Sequence, residues 1–325
     1  MKEVKTFQQM HRDGLINRRE FLTAMGALGL SATTAGSLLV SSSGLAATPT
    51  RGGSIICASN LHGPDDTLDP IVCTSTIDYT RQCTSYNGLI QIWDNMSLHP
   101  ELAEEWSVNS NATEYVFKIR KGVEFHSGGT LSADDVIWSM NRHLGEESPS
   151  SIKAFFSNVV EWKKVDSHTV TLSLSSPDAD MPIKLTQFQA KIVKEGTTNF
   201  SKGAGTGPYV VDSFQPGIKS VHSRNPNYWR STGQHLDQIE ITAITDPNAR
   251  LNALLSGAVD MATVLGAKSI KQVEATDGVE VMSVPAGLYG GICCLKNTLP
   301  GQDDDFVMAM RWIQDREKIV RSFLK

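Results

Sequence analysis

The chain has 325 residues, of which 40% are hydrophobic and 20% charged, enough apolar material for a core and a length that suits about two structural units. Its formal net charge is -5, and because the first fifty residues carry five Lys/Arg and three Asp/Glu, the remainder has a charge of -7. An acidic balance without a long basic block excludes field-driven attraction to nucleic acid or anionic lipid, and the composition excludes disorder throughout.

The N-terminus carries the sharpest local signal. Asn17-Arg18-Arg19-Glu20-Phe21-Leu22 sets the pair Arg18 and Arg19 before a run from Phe21 to Thr50 that lacks Asp, Glu, Lys and Arg. A charged segment followed by a soft apolar one is the arrangement of a twin-arginine export signal. Gly26, Gly29, Ser31 and Gly36 dilute its hydrophobicity, which makes it a poor permanent anchor. Small residues place cleavage near Gly44-Leu45-Ala46 or Leu45-Ala46-Ala47, so residues 1–47 are expected to be the signal and the periplasm the destination. No cysteine stands at that junction, which disfavours a lipid-anchored mature N-terminus.

After Gly52-Gly53, residues Ser54 to Ser59 read as a short strand that delivers the chain to a polar loop, Asn60 to Pro70. Such a loop is a place to expose polar groups at a cleft, and His62 is a candidate ligand contact there, with polar loop structure as the alternative. Asp65, Asp66 and Asp69 offer oxygen ligands but lack calcium-loop spacing, so turn formation is the stronger reading. Tyr79 to Ile92 is helix or mixed structure. Tyr115, Phe117 and Ile119 alternate with Lys118 and Arg120 as in a half-buried strand. Ser132 and Asp135 have capping-box spacing, and Val136, Met140 and Leu144 then recur every four residues as one helical stripe.

Val170, Leu172 and Leu174 predict another strand, and Gly203-Ala204-Gly205-Thr206-Gly207-Pro208-Tyr209 a permissive loop that can bring backbone close to a ligand or simply turn. Ile239 and Ile241 flank Glu240 in a further strand. Asp246-Pro247 then caps a helix bearing Leu251, Leu254 and Leu255, Gly257 stops it, and a short strand follows around Val259-Asp260-Met261. Asp303 to Lys325 reads as one or two helices, with Phe306, Met310 and Ile313 as apolar contacts, Asp303 to Asp305 at a helix N-terminus and Asp315 as a second cap.

Chemistry motifs are missing. There is no H-E-x-x-H, no complete G-x-x-x-x-G-K-[ST] and no cysteine pair at two-residue spacing, so zincin, P-loop and common zinc-site readings lose their sequence support. The glycines at 203–207 do not have G-x-G-x-x-G spacing. No metal, cofactor or catalytic residue is assigned, and the chain is read as a non-enzyme. Of the five cysteines, Cys73 and Cys83 are candidates for a local bridge, with free thiols as the alternative, while Cys293 and Cys294 would face opposite ways in a strand. His126, Trp138 and Trp229 read as structural; Tyr86 and Tyr289, each beside a glycine-containing break, are as suited to ligand contact as to core packing.

Taken in order, Leu68-Asp69-Pro70, Tyr86-Asn87-Gly88-Leu89, Pro100-Glu101-Leu102-Ala103-Glu104-Glu105-Trp106, Gly205-Thr206-Gly207-Pro208-Tyr209, Asn225-Pro226-Asn227-Tyr228-Trp229 and Asp315-Arg316-Glu317-Lys318-Ile319 form an array. It resembles the family 5 extracellular solute-binding proteins of ABC importers, which include dipeptide-, oligopeptide- and nickel-binding proteins. The resemblance implies an α/β, two-lobe periplasmic binding protein fold of type II with an incomplete second lobe: residues 48–243 as the first lobe with its subdomain and 244–325 as the beginning of the second. It implies capture of a di- or oligopeptide in an interlobe cleft and delivery to a permease with separate ATPase subunits, after export by the twin-arginine translocase. A sugar, an opine or a nickel complex is the alternative solute; an exported enzyme or a non-binding remnant is the alternative class. Loop placement and the resemblance together nominate Asn60, Leu61, His62, Tyr86, Gly205, Thr206 and Tyr289 as solute contacts.

Overall fold

The computed structural model describes residues 51–231, 233–283 and 293–323, together with Ala24. The expected signal at Arg18 and Arg19 and the candidate contact Tyr289 lie outside the described residues. The chain divides between Gly52 and Gly53, and the unit Gly53–Lys325 carries every element below.

In chain order these are β1 (Ser54–Ser59), α1 (Thr76–Ser85), β2 (Ile90–Ile92), β3 (Leu98–Pro100), β4 (Ala103–Val108), β5 (Glu114–Ile119), α2 (Ala133–Asn141), β6 (Val159–Asp166), β7 (Thr169–Leu174) and α3 (Met181–Lys184). Then follow β8 (Tyr209–Gln215), β9 (Lys219–Arg224), β10 (Gln238–Ala243), α4 (Pro247–Leu255), β11 (Met261–Ala262), α5 (Ala267–Glu274), α6 (Asp304–Trp312) and α7 (Arg316–Phe323).

Two sheets dominate. The first has five strands in the order β11-β1-β10-β9-β8. Strand β1 pairs parallel with both β10 and β11, whereas β10, β9 and β8 follow one another antiparallel. Parallel strands need a crossover, and α4 supplies the one that carries the chain from β10 past β1 to β11. The second sheet is antiparallel, in the order β4-β5-β7-β6. As the alternation predicts, Tyr115, Phe117 and Ile119 of β5 and Val170, Leu172 and Leu174 of β7 turn to one side and are buried together with Val136 and Met140 of α2. Leu144, expected to complete that helical stripe, packs only partly against the same cluster. Asp135 closes its half of the capping box, its Oδ2 accepting from the Ser132 backbone N–H at 2.8 Å.

The structure changes several expectations. The ambiguous stretch Tyr79 to Ile92 resolves into the later part of α1 and the strand β2; the overlooked signal is Ser75, whose hydroxyl accepts from the Asp78 N–H as an N-cap. The strand expected around Val259-Asp260-Met261 sits at Met261–Ala262. It pairs with β1, Cys57 opposite Met261, so this sheet draws on strands from both sides of residue 243. Ile313, expected to make an apolar contact, is exposed.

No bridge joins Cys73 to Cys83. Cys73 is buried at the end of the 3-10 turn Pro70–Val72, Cys83 is exposed on α1, and both are thiols. Cys293 and Cys294 lie in no strand. Among the described residues no helix is long and apolar enough to cross a membrane, and no group of three or more His, Cys, Asp or Glu stands together to hold a metal ion.

Candidate solute-binding site

Strands β1, β10 and β11 run parallel, so the loops that follow them leave the sheet at the same end. In open α/β sheets that end, where strand order reverses, is where ligands bind. Three segments meet there: 60–69 after β1, 244–246 after β10 and 263–266 after β11.

The start of the first loop is fixed at two points. Asn60 Oδ1 accepts from the Thr76 hydroxyl at 2.9 Å, which ties the start of the loop to the first turn of α1. His62 Nε2 meets Thr245 Oγ1 at 2.7 Å, tying it to the loop after β10. The other ring nitrogen, His62 Nδ1, is buried without a hydrogen-bond partner. Between them Leu61 is 52% exposed. Asn60, Leu61 and His62 thus stand directly after β1, at the end of the sheet where the three loops leave it.

Behind this loop lies a buried charge cluster. Arg81 of α1 is fully buried; its Nη1 donates to Asp66 Oδ2 at 3.1 Å and Asp78 Oδ1 at 2.8 Å, and its Nε to Ser220 Oγ of β9 at 3.2 Å. Asp66 also accepts from Gly63 N at 2.9 Å and Gly217 N at 3.1 Å, so one carboxylate joins the loop, the helix and the β8–β9 turn. Burial pushes the Asp78 carboxyl up despite the guanidinium beside it. Asp69 pairs with Arg142 at 2.5 Å and accepts from Ile71 N at 3.3 Å. The turn-forming reading therefore holds for Asp66 and Asp69.

The other two loops are clasped by Arg250 of α4, a residue only 2% exposed. Its Nε donates to Thr263 O at 2.8 Å, Nη1 to Ile244 O at 2.6 Å and Thr245 O at 3.1 Å, and Nη2 to Val264 O at 2.6 Å. Carbonyl groups at the ends of two strands thus find donors without water. Sequence reasoning missed Arg250, Arg81, Thr76 and Thr245. The available signal for Arg250 was its place three residues after the Asp246-Pro247 helix start, but the pattern holds nothing about which carbonyls it meets.

Three of the nominated residues make contacts within the chain. Tyr86 is 1% exposed, its hydroxyl donating to Leu68 O at 2.6 Å and accepting from Ala204 N at 3.2 Å. Thr206 is fully buried and donates to Asn87 Oδ1 at 3.1 Å. At Gly205 a Cβ would come within 2.1 Å of Ser85 O and 2.7 Å of the Tyr86 ring. The glycine loop does bring its backbone close to something, but that partner is the C-terminal end of α1. Every polar atom named at these three positions is used within the lobe, so they support the loops from behind.

His126 belongs to the same support. Its Nε2 donates to Gly207 O at 2.9 Å, its backbone N–H to Gly205 O at 2.9 Å, and burial lowers its pKa, in line with the structural reading. Trp229 donates its Nε1 to Asn87 Oδ1 at 3.2 Å, and Trp138 packs beside Tyr86 and Val193. A depression of about 240 Å³ opens beyond the end of α1, lined by Cys83, Asn87, Gln91, Glu101, Tyr228 and Arg230 among others. Its inner wall is closed by Glu101, which accepts from Asn87 Nδ2 and Gly88 N, both at 2.7 Å.

Residues 97–325 match the family of bacterial extracellular solute-binding proteins, family 5. The chain belongs to that family. This family 5 chain is 29% identical over 235 residues to di/tripeptide-binding protein 1 of Pseudomonas aeruginosa strain UCBPP-PA14, a match covering 62% of the chain and 44% of that protein. Among solved structures it is similar to the periplasmic binding protein AgaA of A. tumefaciens R10 in complex with agropinic acid, with a TM-score of 0.63, 26% identity and coverage of 68% and 46%. It is also similar to NikZ of Campylobacter jejuni in complex with Ni(L-His), with a TM-score of 0.70, 20% identity and coverage of 83% and 55%. The fold is the mixed α/β fold of the type II periplasmic binding proteins. The family 5 chain spans about half the length of the relatives it matches.

Proposed function

We propose that this protein is the exported solute-binding component of an ABC importer and that it takes a di- or oligopeptide at the crevice beyond β1, β10 and β11. The observation that carries the site is the His62 ring. It is fastened to Thr245 of the neighbouring loop through Nε2, which holds it beside the exposed Leu61 at the end of the sheet where strand order reverses. A side chain already fixed in place loses little further freedom when a solute binds against it.

Asn60, Leu61 and His62 are the contacts from this side, and Tyr289 is retained as a fourth. Polar loop atoms hold the peptide main chain while apolar surface receives side chains. Binding favours a closed population, which a permease with separate ATPase subunits recognises. Likeness to di/tripeptide-binding proteins supports a peptide, and the run from Arg18-Arg19 to Ala47 supports twin-arginine export to the periplasm.

Native mass spectrometry of the protein released from the periplasm by osmotic shock tests this reading. An adduct with the mass of a di- or tripeptide is expected. An adduct with the mass of an opine or a nickel chelate would replace the peptide reading, and recovery of the protein only from the cytoplasm would overturn the export reading.

A further inference from the structure

Helix α1 has two faces in different surroundings. Asp78, Arg81, Gln82 and Ser85 are buried, whereas Thr76, Tyr79 and Thr80 are partly open and Cys83 is exposed. Residues three and four apart share a helix face, so Thr76, Tyr79, Thr80 and Cys83 form one stripe. That stripe begins at the Thr76 hydroxyl bonded to Asn60, and it is therefore continuous with the crevice loop.

One turn beyond Thr76, the Tyr79 ring meets a ring from a distant part of the chain. Phe188 stacks on it with centroids 4.6 Å apart and planes 14° from parallel. Phe188 is 41% exposed although the residues after it are not: Gln189 is 5% exposed and Ala190 1%. Gln189 Nε2 donates to Cys73 O at 2.9 Å, and this anchor holds the preceding ring outward. Two segments more than a hundred residues apart thus deliver one aromatic ring each to the same open face. None of the four side chains in the stripe is itself charged, and Lys191 and Glu101, the charges that act on it, do so at its Cys83 end, away from Thr76.

We infer that Tyr79 and Phe188 are specificity-determining residues: their stacked rings form an aromatic wall that covers an aromatic side chain of a peptide held at Asn60, Leu61 and His62. This rests on the peptide reading of the crevice. Main-chain groups of the solute go to the polar loop, and a ring of the solute extends the existing stack, since aromatic groups gain from offset contact beyond the area they bury.

Isothermal titration calorimetry of the full-length protein with Ala-Ala and Ala-Phe as probes tests the wall. The wild type is expected to prefer Ala-Phe by about tenfold, from the added ring contact. Phe188→Ala and Tyr79→Ala should bring that preference to within about twofold while leaving the Ala-Ala affinity nearly unchanged. Phe188→Tyr, which keeps the ring, should retain it. Thermal melting identifies a variant that fails to fold, and Phe188→Ser, at a surface position, then replaces Tyr79→Ala as the decisive variant. Equal wild-type affinity for the two dipeptides, an unchanged preference in the variants or an equal loss of affinity for both probes would overturn the wall. Failure of the wild type to bind either dipeptide would overturn the peptide reading itself, and the wall with it.

Discussion

Gly205 has no room for a side chain, because the carbonyl of Ser85 lies 2.1 Å from where a Cβ would stand. Relief requires backbone movement at the end of α1, so Gly205→Ala should destabilise the lobe by about 1–3 kcal/mol, at the upper end of that range, in urea unfolding. A second prediction at this scale concerns pH. Burial and the nearby Arg81 charge lower the His222 pKa from 6.5 to about 3, and burial lowers that of His143 from 6.5 to about 4. Between about 4 and 6.5 the unfolded chain binds protons at these rings that the folded chain does not, so stability falls as pH falls through that window. His222→Gln or His143→Gln should flatten the dependence of the urea midpoint on pH between 6.5 and 4 relative to wild type. A third readout is direct: alkylation under native conditions should leave the buried thiol of Cys73 unmodified in a peptide map, and reduction should not change the intact mass.

At the scale of the element, α1 and α4 hold the loops that follow the parallel strands. Helix α1 reaches the first loop through Arg81 and Asp66, and a guanidinium with two buried carboxylates against it is hard to replace. Arg81→Met removes the cation and leaves Asp66 and Asp78 facing each other without compensation. The expected loss is about 3–5 kcal/mol by denaturant titration. Helix α4 starts at Asp246, whose Oδ1 accepts from Ala249 N at 2.7 Å, and it carries Arg250 to the carbonyls of the two other loops. Asp246→Ala should cost about 1 kcal/mol through loss of the cap. Arg250→Met leaves carbonyl groups of both loops without their donor and should cost more than the cap variant in the same titration. Such elements were legible where local pattern and tertiary need coincide: the capping residues Ser132 and Asp246 and the alternation in β5 and β7 predicted what is seen. The apolar residues at α6 were legible as a stripe, but Phe306 and, just past the helix, Ile313 are 36% and 71% exposed, because a stripe specifies a need for a partner without specifying the partner.

For the whole molecule, the order of family motifs identified the fold, and the match over residues 97–325 agrees with it. The sequence by itself determined strands β1, β5, β7 and β10, the helix starts at Ser132, Asp246 and Asp303, and the family, because these depend on residue type and on spacing along the chain. It also singled out the segment after β1, where a strand gives way to polar residues. Only the tertiary structure decided that β11 returns to pair with β1, that Tyr86 and Thr206 are buried while Asn60 bonds to Thr76 and His62 to Thr245, and that Arg81 and Arg250 hold the loops at the end of the parallel strands. The reason is distance along the chain. His62 and Thr245 are 183 residues apart, and Ala204 and Tyr86 118 apart, so what each polar group must satisfy is set by a neighbour that no local pattern contains.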